Sequence, residues 1–77
     1  MNQNDLMLVE SIASSIDGKS RYVHSPSEDT FDYVICVEDA TMKEQNVVRI
    51  PKHLFEGASV DMHAVRNIIS SSIKGNK

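Results

Sequence analysis

Residue types that mark particular protein classes are scarce or missing in this chain of 77 residues. It contains one cysteine, no tryptophan, two tyrosines and two phenylalanines. A single cysteine cannot form an internal disulfide, which excludes a disulfide-stapled scaffold and is typical of a protein from a reducing cytoplasm. Because aromatic residues are so few, aliphatic side chains must supply most of the buried apolar surface.

Glycine, positive charge and long hydrophobic runs are also in short supply. The three glycines are Gly18, Gly57 and Gly75, too far apart to build a phosphate-cradling loop. Eight Lys and Arg against eleven Asp and Glu give a net charge of −3, which argues against a protein whose main task is gripping nucleic-acid phosphates. No run approaches the roughly 18 consecutive apolar residues of a membrane span, and the polar first residues lack the basic segment of a signal peptide. We expect a cytoplasmic protein with no membrane partner.

The length predicts a single domain, residues 1–77, near the lower limit for independent folding. The hydrophobic fraction of 40% and the charged fraction of 25% are those of a globular protein. A domain of this size buries only roughly 60% of the surface that its unfolded chain exposes. Its core is therefore thin, and a partner subunit would add stability.

The clearest structural pattern is a predicted β-hairpin from Phe31 to Ile50. Apolar residues alternate up to Val37, a polar stretch follows, and a second apolar run ends before Pro51, which lacks the N–H that a strand ladder needs. The predicted core face consists of Phe31, Tyr33, Ile35, Val37, Val48 and Ile50. Aligning this face gives a register in which Val37 faces Val48 and Ile35 faces Ile50, with Arg49 opposite Cys36.

Helical periodicity predicts a helix near each end of the chain. The first spans about residues 5–17, with Asn4 or Asp5 as its cap and Gly18 after its end, and its apolar face excludes Glu10 and the serines. The second is capped by Ser59 or Asp61 and carries a broad apolar stripe, and Gly75 follows it as a stop. Residues 20–24 are consistent with a short first strand, and residues 52–57 with a single helical turn.

This order of elements indicates an α+β fold. We predict a small two-layer domain with an N-terminal helix, a two- or three-stranded antiparallel sheet and a C-terminal helix. Both helices would pack on one face of the sheet, so that their apolar stripes are buried in two layers.

Candidate catalytic and metal-binding residues are sparse. The possible metal ligands are His24, His53, His63 and Cys36, of which no two lie within nine positions, whereas zinc sites normally use close pairs. Cys36 lies inside a strand, which favours packing over a reactive thiolate. No serine has a nucleophile-elbow context. We therefore expect no metal, no cofactor and no enzymatic activity.

The second face of the hairpin favours a binding function. Val34, Cys36 and Val47 lie on that face beside Arg49 and Glu38. This mixture is more apolar than a solvent-exposed surface with no binding role would be, and it lacks the catalytic groups of an active site. We predict an interface at these five residues, and we expect Val34→Asp or Cys36→Asp to disrupt association before it disrupts the fold.

Acidic residues concentrate in the same third of the chain. The hairpin pairing predicts one group at each end: Glu28, Asp29 and Asp32 at one, and Glu38, Asp39 and Glu44 at the other. Two interpretations remain open. The groups form a docking surface for a basic partner, or they are solvated charges that protect a sheet edge from aggregation.

Together these patterns predict a small non-enzymatic binding or regulatory protein that acts through protein–protein contacts and forms a homodimer. Short chains without motifs are common among phage and mobile-element accessory proteins that inhibit host factors, and this is the class we expect by association. The alternative is a small nucleic-acid-binding module using Arg49, Lys52, His53 and Arg66, which would share a region if Pro51 turns the chain toward the last helix.

Overall fold

In the computed structural model, which describes residues 1–40 and 45–74, the chain has the predicted α+β fold. Helix α1 (Gln3–Ser15) is followed by strands β1 (Arg21–Glu28), β2 (Asp32–Asp39) and β3 (Gln45–Pro51), a 3₁₀ turn (Lys52–Phe55) and helix α2 (Met62–Lys74). The strands form an antiparallel sheet in the order β1-β2-β3. Glu44 of the second predicted acidic group and the predicted helix stop Gly75 lie outside the described residues.

The core lies between the helices and one face of the sheet. Every element except β1 and the 3₁₀ turn contributes buried aliphatic side chains. These are Val9, Ile12, Ala13, Ile35, Val37, Val48, Ile50, Val65 and Ile69. The two-layer arrangement with both helices on one face is therefore confirmed, and the other face of the sheet carries no layer from the described residues.

Helix α1 begins two residues earlier than the pattern predicts. The Asn2 side-chain oxygen accepts a hydrogen bond from the Asp5 N–H at 2.8 Å, so the predicted caps Asn4 and Asp5 are wrong. The helix ends at Ser15, and Gly18 follows in the left-handed region with φ 75°. That backbone conformation suits glycine because it has no Cβ.

Strand β1 exists but is longer than residues 20–24. Its pairing with β2 is interrupted by an irregularity between His24 and Ser27, where Ser25 adopts a positive φ of 55°. Beyond it, the Asp29 carboxylate accepts hydrogen bonds from the N–H groups of Phe31 (3.2 Å) and Asp32 (2.9 Å). This Asx-type turn reverses the chain. It leaves Phe31 off the strand and 77% exposed, so the prediction that Phe31 belongs to the core is wrong.

The predicted register of β2 and β3 is also wrong, by two residues. Ile35 faces Val48 and Tyr33 faces Ile50, and Arg49 lies opposite Val34 instead of Cys36. A shift of two keeps every side chain on its predicted face, because side chains alternate with a period of two. The assignment of residues to the two faces therefore survives the error.

The prediction that the second strand ends before Pro51 is wrong by one residue, because Pro51 is the last residue of β3 and lies opposite Asp32. The connection that follows it is as predicted. After Pro51 the chain makes the single helical turn, where Phe55 packs edge-on against Tyr33 with ring centroids 5.6 Å apart. Leu54 and Phe55 pack partly buried against the core. Asp61 caps α2, since its carboxylate accepts a hydrogen bond from the Ala64 N–H at 3.1 Å.

Candidate protein interface

The sheet face that the helices leave uncovered is the candidate site, and we call it the open face. The strand pairings arrange its side chains in three rows across the sheet. The rows are Tyr22–Glu38–Gln45, His24–Cys36–Val47 and Ser27–Val34–Arg49. All five residues predicted to form an interface, Val34, Cys36, Val47, Arg49 and Glu38, lie on this face; Tyr22 and His24 join them from β1.

The first row is held by hydrogen bonds to one carboxylate. The Gln45 amide donates to Glu38 Oε2 at 2.6 Å. A hydrogen bond between Tyr22 and Glu38, together with partial desolvation, raises the pKa of the Tyr22 hydroxyl. Glu38 thus fixes side chains from both outer strands, and the row is an ordered polar strip.

The middle row is the most apolar part of the open face. Val47 is 69% exposed at the β3 side, next to the half-buried Cys36. On the β1 side, the His24 ring lies 6.3 Å from the Tyr22 ring. His24 Nε2 is shielded from solvent and has no hydrogen-bond partner within the described residues, which is unfavourable for a buried polar atom.

The third row ends in an ion-pair cluster. Arg49 pairs with Asp29, and its Nε lies 3.4 Å from an Asp32 carboxylate oxygen. Backbone hydrogen bonds from Asp32 and Phe31, with a contribution from Arg49, lower the pKa of Asp29. Arg49 therefore connects β3 to the turn between β1 and β2.

The predicted acidic groups are largely paired with cations. Glu28 accepts a hydrogen bond from Lys52 at 2.6 Å, which lowers the pKa of Glu28 and raises that of Lys52. At the other end, Asp39 is only 4% exposed, and its carboxylate lies 3.8 Å from Lys19 Nζ. These pairings weaken the interpretation of the acidic groups as a docking surface for a basic partner. Glu44 lies outside the described residues.

The four basic residues of the nucleic-acid alternative do not form one patch. Arg49 lies on the open face among carboxylates, and Lys52 pairs with Glu28. Arg66 lies on the opposite, helical side, where it donates to the Ser15 hydroxyl at 2.9 Å. His53 is exposed in the 3₁₀ turn. Cations that are separated and already paired make a poor phosphate-binding surface.

The outer edge of β1 is covered by side chains of α1. The Glu10 carboxylate accepts a hydrogen bond from the Val23 N–H at 3.1 Å. The Ser14 hydroxyl accepts from the Arg21 N–H at 2.9 Å and donates to the Arg21 carbonyl at 3.2 Å. Together with Pro26 and the irregularity after His24, these contacts leave little of this edge for another strand.

Arg21 fastens the same edge to the end of α1. It is only 6% exposed, and its guanidinium donates to the Ala13 carbonyl at 2.8 Å and to both Asp17 carboxylate oxygens at 2.7 and 2.9 Å. This bidentate hydrogen bonding with Arg21 lowers the pKa of Asp17 from 3.8 to about 2. A buried guanidinium here serves as the C-terminal cation of the helix.

The outer edge of β3 has no such cover from the described residues. The Lys52 N–H donates to the Phe31 carbonyl at 2.9 Å, and hydrogen-bonded pairs recur at every second residue of an antiparallel ladder. Val48 and its alternate neighbours therefore direct their N–H and C=O groups toward β2. Gln45, Val47 and Arg49 direct theirs outward. No hydrogen bond from the described part of the chain reaches the outward amides of Val47 and Arg49.

A shallow cleft of about 370 Å³ lies between α1 and α2 on the helical side. Its lining includes Leu8, Ile12, Met62, His63 and Arg66. Met62 is half exposed. The cleft is apolar with a basic rim, and it shares no residue with the open face.

Residues 1–40 and 45–74 bring together no group of three or more His, Cys, Asp or Glu that could hold a metal ion. In the same ranges, no helix has the length and apolar character to cross a membrane.

The open face and the β3 edge were found to different extents by sequence reasoning. Alternation identified the open-face residues of β2 and β3, but Tyr22 and His24 were missed because β1 carries only a weak strand pattern.

Comparisons with protein-family models, with curated proteins and with solved structures find no match for this chain.

Proposed function

We propose that this protein is a small non-enzymatic binding protein that acts through protein–protein contacts made by the open face, and that it functions as a homodimer. The observation that carries the proposal is the one-sided sheet. Helices cover one face, while the other presents Val34, Cys36 and the 69% exposed Val47. Burying such apolar area against a partner is favourable by about 25 cal/mol per Å².

The polar groups of the open face support a specific partner over nonspecific adhesion. Glu38 and Arg49 are held in place by neighbours, so their orientation costs little entropy on binding. They flank the apolar middle row on two sides. An apolar centre with an ordered polar rim is the usual anatomy of a protein interface.

Within this class we place the protein among regulatory accessory proteins that occupy a host factor, as short phage and mobile-element proteins do. The support is the lack of a catalytic motif in its sequence. The scattered, paired cations make the nucleic-acid alternative the weaker one.

Affinity capture with matched variants tests the proposal. Tagged wild type, Val34→Asp on the open face and Met62→Asp on the helical side are each incubated with lysate of the native host, and the captured proteins are compared by mass spectrometry. We expect one set of proteins captured by wild type and Met62→Asp and lost by Val34→Asp. Equal capture by all three, or tight salt-dependent binding to DNA or RNA with no protein captured, would contradict the proposal.

A further inference from the structure

We infer that the homodimer forms by antiparallel pairing of the outer edge of β3 with the same edge of a second copy. This inference rests on the proposed function in taking a second copy as one partner, and it specifies the surface used. The strand ladder directs the N–H and C=O groups of Gln45, Val47 and Arg49 outward, and within residues 1–40 and 45–74 no hydrogen bond reaches these groups. Unpaired strand edges of this kind are templates for another strand.

The residues of β3 favour one register, with Val47 facing Val47 of the second copy. In that register Gln45 faces Arg49 of the other copy, and each facing pair exchanges two backbone hydrogen bonds. A register centred on Arg49 would bring Pro51, which has no N–H, into the ladder. Centring on Val47 uses the free groups of all three residues and leaves Pro51 outside.

Side-chain chemistry fits the same register. A residue on a twofold axis meets its own copy, so a charged residue there would repel itself. Val47 is uncharged and 69% exposed, and the contact buries two valines against each other. Arg49 approaches Gln45 of the other copy, whose side-chain amide donates a hydrogen bond to Glu38. The guanidinium of Arg49 therefore lies near a carboxylate, which attracts it.

The covered β1 edge explains why association would stop at two copies. Each protomer has one free edge and one edge occupied by Glu10 and Ser14. Pairing through β3 uses the free edge of both copies. The product is a six-stranded sheet with occupied outer edges, and its two open faces join into one surface.

Disulfide trapping tests the register directly. With Cys36→Ser as background, Val47→Cys places two thiols opposite each other, where Cα atoms about 5.5 Å apart suit a disulfide. Under mild oxidation we expect nearly all of the Val47→Cys protein to run as a covalent dimer. Gln45→Cys and Arg49→Cys should each form no disulfide-linked dimer alone and should cross-link when mixed. Cross-linking of Gln45→Cys alone, or none with Val47→Cys, overturns the inference.

Sedimentation at high micromolar concentration provides the second measurement. Wild type should be a dimer, and Val47→Pro a folded monomer, because proline on an edge strand removes only the outward donor. Edge pairing revises the sequence-based expectation for Val34→Asp, which should lose binding to other proteins but remain a dimer. Protein capture therefore reports on the open face, and the oligomeric state reports on the β3 edge. A strictly monomeric wild type overturns the edge pairing and the homodimer of the proposed function, and the capture result then decides only whether the open face binds another protein. A dimer lost by Val34→Asp and kept by Val47→Pro overturns the edge pairing alone.

Discussion

Arg21 is the residue whose role depends most on its surroundings. It is a charged side chain that is 6% exposed, and this burial is tolerable because an ionised acid and a helix carbonyl accept hydrogen bonds from its guanidinium. Asp17 supplies the acid at 2.7 Å. The pair thereby fixes the end of α1 against the start of β1.

The lowered pKa of Asp17 makes stability depend on pH in acid. Because the folded-state pKa is about 2 against 3.8 for the ordinary group, the ion pair contributes fully above about pH 4 and is lost as the pH falls toward 2. We expect the free energy of unfolding, measured by urea titration followed by circular dichroism, to decrease across that window.

Asp17→Asn should lower stability at pH 7 and flatten this acid dependence. Glu56→Gln, which removes an equal charge from an exposed position, is the matched control and should behave as wild type. An Asp17→Asn protein with an unchanged acid profile would show that Arg21 is satisfied by other groups.

At the scale of elements, helix α1 has two structural roles, and its sequence pattern predicts only one of them. Its apolar stripe packs on the sheet, and its polar side carries Glu10 and Ser14, which hydrogen-bond to the β1 edge. Periodicity assigns such residues to solvent, because it reads only apolar spacing. Their contact with β1 depends on how the helix crosses the sheet.

Loss of an edge contact should be measurable as loss of stability. Ser14→Ala leaves the N–H and C=O groups of Arg21 without their side-chain partner. Leaving partly buried backbone groups unpaired costs about 1–3 kcal/mol. Ser11→Ala, on an exposed position of the same helix, is the control and should change the free energy of unfolding by less than about 0.5 kcal/mol. Equal effects of the two substitutions in urea unfolding would contradict a specific role for Ser14.

Secondary-structure elements were predictable where the spacing of nearby residues determines them. They were less predictable where contacts between residues distant in sequence determine the structure. The helices, the face assignment of Ile35 and Val48 and the turn after Pro51 all follow from spacing. The register was wrong because a slip of two residues keeps the same faces buried. Phe31 fits the alternation, but the Asp29 turn removes it from the strand.

The candidate site was predictable in the same uneven way. Alternation alone puts Val34, Cys36 and Val47 on one face. The pairing of Arg49 with Asp29 joins β3 to the turn between β1 and β2 across 20 positions of sequence, and no local pattern predicts it. The difference between the two sheet edges likewise depends on tertiary contacts of α1.

At the scale of the whole molecule, the small core leaves little margin. At about 0.05–0.15 kcal/mol per residue, 77 residues give roughly 4–12 kcal/mol in total. Ile69 is fully buried between α2 and the sheet, and Ile69→Ala should cost about 2–5 kcal/mol, Ile69→Val about 0.5–1.5. Urea unfolding measures both.

Met62→Ala, on the half-exposed start of α2, is the control for that series and should be nearly neutral. If Ile69→Ala is as mild as Met62→Ala, α2 is not packed as described. If it is severe and dimeric wild type resists urea better at higher protein concentration, the second copy contributes to the stability of the fold.

The contacts of α1 with the β1 edge also bear on the order of events during synthesis. Chains emerge from the ribosome N-terminus first. Glu10 and Ser14 have therefore left the ribosome before Val23 and the rest of β1, to which they hydrogen-bond, emerge from it. The edge that must not pair with other chains thus has its hydrogen-bond partners ready before it forms. The β3 edge emerges later, after the β1–β2 hairpin is complete, and becomes available to a second copy only when most of the sheet exists.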